Sequence, residues 1–233
     1  NMAWHCPRCR LLLLDHDSIP GEDFVPRMRE SYLQLLQREE RPALLGPVLF
    51  EPRSNRCHGF HVLRGLRYRH VQPDDMEEDF LSCSGINSSG SFGELEVFGK
   101  VGPLRDDLFI DHVDTEWSLR ALHQGFTLWG TRRTQLTHHM GDDVLALRLP
   151  GRTFYFPYRS PLRHRYLFRN SLRLMGASYV PAGWKLNCAA KLLFTAVLFG
   201  TLSRERLAQL RGMAAGLADA LAGRRGEITA AGR

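Results

Sequence analysis

The sequence predicts an α/β fold whose last third turns helical. Two apolar runs, 10–14 and 44–50, flank a segment with helical periodicity, the strand–helix–strand order of an α/β unit. Beyond residue 160 the spacing changes, and side chains of one kind recur every three or four residues. The chain has 233 residues, 43% hydrophobic and 24% charged. That is enough for one or two domains with a real core, and it excludes wholesale disorder, collagen-like repeats and coiled coil.

Arg10 to Leu14 reads Arg-Leu-Leu-Leu-Leu and runs into Asp15-His16-Asp17-Ser18, which suits a buried strand ended by polar residues. After Pro20-Gly21, residues 22–40 place Phe24, Met28, Tyr32, Leu35 and Leu36 on one helical face. Arg41-Pro42 stops this helix, and Leu44 to Phe50 forms the second strand. Residues 51–79, with Pro52 and the acidic cluster Asp74 to Asp79, read as an irregular solvated stretch. The Ser/Gly-rich stretch 82–93 is either a flexible loop or backbone brought close to a ligand. Residues 113–124 form a helix with Trp117, Leu119 and Leu122 toward a core and Asp114 and Glu116 in its first turn. Short strands are expected at 126–129 and 134–137. Arg165, Arg169 and Arg173 make a basic stripe on a helix. Leu207, Leu210, Ala214, Leu217 and Leu221 form an apolar stripe on a last helix at 204–222, with Ser203 as its N-cap and Gly223 just past its end.

Charge divides the chain. Residues 1–150 hold 17 Lys+Arg against 22 Asp+Glu, whereas residues 151–233 hold 14 against three. An acidic body with a basic tail calls for an anionic partner of the tail. The expected division is an acidic α/β domain over 1–158, which the resemblance given below makes the catalytic one, and a basic helical region over 159–233. No uninterrupted apolar run approaches the length of a membrane span, the longest candidate being Leu192 to Gly200. Five cysteines without regular spacing favour a reducing compartment, and Cys6-Pro7-Arg8-Cys9 is half of a zinc site at most. The N-terminus has no basic segment followed by a long apolar core, so no secretory signal is expected.

Three clusters carry chemistry. Asp15 and Asp17 leave the end of an apolar strand, where two carboxylates can meet a divalent cation through hard oxygen ligands, although D-x-D also serves as an ordinary turn cap. Residues 107–116 gather four carboxylates and His112 beside Phe109, Ile110 and Trp117, which is either a positioned general base or an acidic helix start. His138 and His139 lie beside Asp142; side chains of adjacent strand residues point to opposite faces, so at most one serves a site.

In order along the chain, LLLLDHDS (11–18), LLGPVLF (44–50), FLSCSG (80–85), LFIDHVDTEWSLRA (108–121), HHMGD (138–142), RHRYLFRN (163–170) and GLADALAGRRG (216–226) resemble the rhamnosyltransferases among family 2 glycosyltransferases. The resemblance implies a GT-A fold and inverting transfer of L-rhamnose from dTDP-L-rhamnose to a glycan or glycolipid hydroxyl. It implies that Asp15 and Asp17 hold Mg²⁺ or Mn²⁺ on the donor diphosphate, with His138 beside them. Asp114 matches the general base, with Glu116 and Asp111 as substitutes. Arg163, Arg169, Asn170, Ser84 and Gly85 match donor or diphosphate contacts. Two features depart from the family: Arg165 precedes Tyr166 where two tyrosines are usual, and the stretch after Gly85 is longer and richer in Ser and Gly.

In the family two or three βα units precede the D-x-D strand, whereas here that motif begins at residue 15 and the chain starts at Asn1. The expectation is an N-terminally incomplete chain lacking most of its donor pocket. The alternatives are a family 2 transferase for another nucleotide sugar, or an inactive truncated protein that binds a membrane or a partner. The basic tail, with Trp184, Lys185, Lys191 and the run Leu192–Phe199, is expected either to pack on protein or to lie on an anionic membrane surface. A cytoplasmic location, peripheral on the inner membrane face, follows. No nucleic-acid-binding motif accompanies the charge, and nucleic acid is not expected as a partner.

Overall fold

A computed structural model describes residues 9–16, 18–39, 41–52, 55–138, 143–149 and 152–228. In chain order its elements are β1 (Arg10–Leu12), α1 (Phe24–Leu36), β2 (Pro42–Glu51), β3 (Arg56–His58), β4 (Phe60–Arg64), β5 (Arg67–Val71), β6 (Phe80–Cys83), β7 (Phe92–Glu94), α2 (Leu95–Val101), α3 (Val113–His123) and β8 (Thr127–Thr137). The hairpin β9 (Asp143–Leu149) and β10 (Arg152–Tyr158) follows, then α4 (Pro161–Met175), α5 (Ala182–Leu202) and α6 (Arg206–Leu221). The fold is mixed α/β with a central sheet and C-terminal helices, as the sequence predicts.

Two compact units divide the chain: Asn1–Leu104 with Asp114–His139, and Arg105–Val113 with Met140–Arg233. The division therefore falls neither at residue 158 nor at any single point. Arg105–Val113 belongs with the C-terminal helices because side chains of α4 hold its backbone, as detailed below.

In the first unit the sheet runs β1-β7-β2-β8-β6, with β3 on β2 beyond the β7 contact. β2 and β8 are parallel and the other pairs antiparallel. β2 is buried on both faces, which is why it reads as continuous apolar sequence. Leu45 and Leu49 face α1 with Phe24, Met28, Tyr32 and Leu35; Leu44 and Val48 face Val97, Phe98 and Trp117 of α2 and α3. Trp117 stacks on Phe98 and donates its indole N–H to the Gly102 carbonyl at 2.8 Å.

Two expectations change here. Residues 51–79 are not irregular, since β3, β4 and β5 lie within them. The polar, basic β4–β5 hairpin lacks the apolar alternation that marks a strand, which is why pattern reading misses it. The two short strands expected after α3 are one eleven-residue strand, β8. Its register against β2 shifts between Pro47 and Val48, where Thr131 and Gln135 become successive partners.

In the second unit α4 starts at an N-cap, Ser160, whose hydroxyl accepts the Arg163 N–H, with Pro161 at the first helical position. The predicted basic stripe points inward. Arg165 pairs with Asp219, Arg173 with Asp107, and Arg169 is fully buried. All three arginines of that stripe are thereby taken up by internal contacts. The last helix begins at Arg206 rather than after Ser203, which is buried at the end of α5. Gly223 follows the helix at φ +68°, the left-handed conformation expected past a helix end. The expectation that nothing reaches spanning length is overturned by α5. Counting uninterrupted apolar residues broke the run at Lys185 and Lys191. As a helix, its 21 residues are long and apolar enough to cross a membrane by length and composition.

Candidate functional site

In the first unit, the Ser/Gly stretch organises the predicted residues. It is a packed hub: Ser89 and Ser91 are fully buried. Ser91 closes a turn onto the Ser88 carbonyl through both its N–H (3.0 Å) and its hydroxyl (2.8 Å). Gly90 adopts φ +77° and donates its N–H to the Leu13 carbonyl at 2.7 Å, in return for the bond from Leu13 N–H to Ser91. A Cβ on Gly90 would lie 2.6 Å from the Pro47 ring. This clasp fixes the chain as it leaves β1.

Asp15 follows at once. Its carbonyl accepts the Ser18 N–H at 3.1 Å, and Ser18 and Ser89 share a short hydroxyl–hydroxyl contact. Ser18 also lies 3.3 Å from His138 Nδ1. His138 is buried at the end of β8, its N–H bonded to the Phe50 carbonyl at 3.0 Å. Its Nε2 lies 4.0 Å from Oδ2 of Asp15, whose side chain is 45% exposed. Asp17 and residues 139–142 lie outside the described residues, as do Cys6, Pro7 and Arg8. Among the described residues, no group of three or more His, Cys, Asp or Glu forms a cation site.

Asp114 joins the same hub. Its Oδ1 accepts the Thr115 N–H at 2.8 Å, and the backbone N–H of Ser88 also reaches the carboxylate. Burial pushes its carboxyl above the ordinary aspartate range, and the negative charge of Asp15 adds to this; the backbone bonds offset part of it. Asp15, His138 and Asp114 are thus gathered around Ser18, Ser88 and Ser89. Sequence reading missed these serines as positioning groups; the one available signal was that Ser18 directly follows the D-x-D.

The other expected residues have different tasks. Glu116 is fully buried and bound at both oxygens by Arg120 (3.0 and 2.9 Å), which also donates to the Val101 and Pro103 carbonyls. It is part of an internal clamp and is not placed to act as a base. The Ser84 hydroxyl accepts the Leu63 N–H at 2.8 Å, and Gly85 bridges to His61, so both tie the hub's approach to β4.

In the second unit Asp111 is the centre of an ion cluster with Arg159 and Arg163. Burial alone would raise its carboxyl, but the two guanidinium groups outweigh that and hold it below the usual range. A carboxylate so held is a poor proton acceptor, so Asp111 is not a substitute base. Arg159 was missed because it stands alone between a strand and a helix cap. Arg169 and Asn170, expected to touch the donor, are fully buried. Arg169 donates to the carbonyls of Leu108 (3.0 Å) and Gly226 (2.8 Å) and to Asn170 Oδ1 (3.0 Å). The Asn170 amide reaches three carbonyls, those of Leu108, Ile110 and Asp111, at 2.8–3.1 Å. They hold a strained segment in place: Phe109, Asp111 and His112 all lie at φ between +62° and +65°, unfavourable for side-chain-bearing residues. His112 is fixed in turn by Ser171 Oγ at 2.8 Å and by the edge of Trp184.

No family model matches the chain. Over 176 residues it is 29% identical to the dTDP-rhamnosyl transferase RfbF of Shigella flexneri, covering 74% of this chain and 55% of that protein. The chain therefore spans about half the length of the curated relative it matches. Among solved structures, it aligns with residues 1–349 of TarS from S. aureus, crystallised with UDP-GlcNAc, at a TM-score of 0.41 and 8% identity, covering 92% of this chain and 68% of that one.

Proposed function

We propose that this chain carries the catalytic part of a GT-A-type, family 2 glycosyltransferase, a cytoplasmic enzyme that moves L-rhamnose from dTDP-L-rhamnose to a hydroxyl of a glycolipid or lipid-linked glycan. The observation that carries the reading is the hub that gathers Asp15, His138 and Asp114, with Asp114 as the acid whose carboxyl is raised. Similarity to a dTDP-rhamnosyl transferase supports the choice of donor.

In this reading Asp114 accepts the proton of the acceptor hydroxyl as that oxygen forms its bond to the anomeric carbon. The bond from that carbon to the diphosphate oxygen breaks, dTDP leaves with the electron pair, and attack from the opposite face inverts the anomeric configuration. A raised carboxyl is the stronger base, and burial within the hub keeps it from bulk water. Arg120 holds Glu116 aside, so a single acid of α3 is left for the proton.

Asp15 and His138 fit a hard divalent ion, Mg²⁺ or Mn²⁺, bound jointly with a diphosphate. Such ions need only one or two protein ligands besides phosphate and water. The 4.0 Å between Asp15 Oδ2 and His138 Nε2 is within the span of two ligand bonds of ~2.1 Å each. When bound, the ion neutralises charge on the departing diphosphate. Asp15 would hold it from its half-exposed side chain, and Ser18 orients the imidazole through Nδ1.

The test is transfer or donor hydrolysis with dTDP-L-rhamnose and Mg²⁺ or Mn²⁺, measured on the natural product of the full reading frame. Asp114→Asn is expected to lower kcat by roughly a hundredfold or more while leaving donor binding intact. Near-normal turnover in that variant would remove Asp114 as the base. In the unsubstituted enzyme the acid limb of kcat/KM should lie above the ordinary aspartate range, since activity falls as pH drops through the raised value.

A further inference from the structure

Helix α6 is built inside out. Apart from Met213, the side it buries is polar or small: Gln209, Gly216 and Asp219. Cβ atoms built on Gly212 and Gly216 would lie 2.4 Å from the Pro161 carbonyl oxygen and 2.3 Å from that of Arg165, so α6 lies backbone against backbone on α4. Most polar groups in this seam are paired, with His164 Nε2 left buried without a hydrogen-bond partner. Gln209 Oε1 accepts a hydrogen bond from His164 Nδ1 at 2.6 Å, and its amide N–H donates to the Arg159 carbonyl at 2.9 Å. Asp219 binds Arg165 and Arg224. The leucine stripe that a water-soluble helix would turn inward faces out instead: Leu207, Leu210, Leu217 and Leu221 are 37–83% exposed.

Its neighbour α5 shows the same outward bias. Leu192, Leu198 and Phe199 pack with Leu167, Phe168 and Met213, while Leu186, Leu193, Phe194 and Val197 form a second stripe at 53–68% exposure. At 3.6 residues per turn, Lys185 and Lys191 stand about 120° to either side of that stripe. Helix α5 contains no acid. From residue 182 to 225 there are seven Lys or Arg and only two acids, Glu205 and Asp219.

This charge pattern selects the occupant. Pairing the face with itself across a two-fold axis would set bases against bases. A surface of anionic headgroups over hydrocarbon complements both the lysine flanks and the apolar stripe, with the lysine stems reaching up to the charged layer. We propose that the outward faces of α5 and α6 form a docking surface for an anionic phospholipid bilayer. Leu193, Val197, Leu207 and Leu221 enter the interface, and Lys185, Lys191 and Arg211 sit at headgroup level. Helix α5 lies in the plane of the bilayer, because its opposite face is packed on protein. The surface is independent of the sugar chemistry.

Flotation on a density gradient tests this with no donor or acceptor present. Vesicles of equal parts phosphatidylethanolamine and phosphatidylglycerol are compared with phosphatidylcholine alone. The protein is expected to float with the anionic vesicles only. Leu193→Glu/Leu221→Glu should reduce flotation about tenfold or more, since each change removes a leucine from the interface, with an unchanged circular dichroism spectrum. Lys185→Gln/Lys191→Gln leaves the apolar area intact and should weaken flotation about tenfold through charge alone. Four results would overturn the proposal. One is a protein that stays at the bottom with anionic vesicles at low salt. Another is flotation undiminished in both variants. The third is a dimer that the leucine variant converts to monomer without any vesicle binding. Retention after alkaline carbonate would also overturn it, since α5 would then span the bilayer.

Discussion

Asp114 is placed where ionisation is unfavourable, and that has a consequence for stability as well as for proton transfer. A carboxyl raised in the folded state binds its proton more tightly there than in the unfolded chain. Its contribution is present below the unfolded value and lost as pH rises through the folded one. Asp114→Asn is therefore expected to melt at the same temperature as the unsubstituted protein or higher at pH 7, while losing activity. His112 gives the opposite sign. Burial, aided by Lys191 and Arg159 against the pull of Asp111, pushes its imidazole down to about 4. Stability is full above pH 6.5 and is lost as pH falls toward that value, by up to ~3 kcal/mol. Urea titrations between pH 7 and 5 should show the decline, and His112→Gln should flatten it. Asp15 and Asp114 were singled out through the family resemblance, since by themselves a D-x-D also reads as a turn cap and acids are ordinary in a first helical turn. The serines were not: a hydroxyl that positions another group looks the same in sequence as one in a flexible loop. Arg169 and Asn170 were found as important but given the wrong partner, since a guanidinium fits a carbonyl oxygen as readily as a phosphate.

The elements that sequence reading placed well are those with one face in a core. Helices α1 and α3 carry that periodicity, and strand β2, buried on both faces, stands out as a continuous apolar run. The β4–β5 hairpin carries none, and β8 was divided because its bulge interrupts the alternation. Helix α6 was located within two residues at its start, while its leucine stripe was left open between packing on protein and facing outward. Amphipathic periodicity says that a helix has two faces; it does not say which one a neighbouring helix will take. Gly212 and Gly216 decide that here, since they alone let the α4 backbone approach. Gly216→Ala inserts a methyl group 2.3 Å from the Arg165 carbonyl oxygen. Although alanine is the better helix former by about 1 kcal/mol, we expect a net destabilisation of ~1–3 kcal/mol, read by thermal or urea unfolding. Leu217→Ala on the outer face should change stability by less than ~0.5 kcal/mol.

For the molecule as a whole, the contrast between acidic and basic parts proves less extreme than the residue count implies. Arg165, Arg173 and Arg224 are paired and Arg169 is enclosed, so the charge available to a partner comes chiefly from Lys185, Lys191, Arg204, Arg206, Arg211 and Arg225. Binding through these exposed groups is screened over about 10 Å at 0.1 M salt and over less at higher concentration. Raising NaCl should thus lower the fraction bound to anionic vesicles steadily without abolishing it, because the leucines contribute independently of salt; binding that is indifferent to salt would mean that the basic flank takes no part.

The interleaving of the two units also sets an order of events during synthesis. The segment that precedes Asp114 is emitted from the ribosome 61 residues before Arg169, the side chain that holds it through the Leu108 carbonyl. At 5–20 residues per second, that gap lasts roughly 3–12 s. For those seconds the carbonyls of Leu108, Ile110 and Asp111 must be satisfied by water, and nothing from α4 restrains the backbone at Phe109, Asp111 and His112. The left-handed turn ahead of α3 is therefore a late acquisition of the nascent chain, completed only after the helix that grips it has been made.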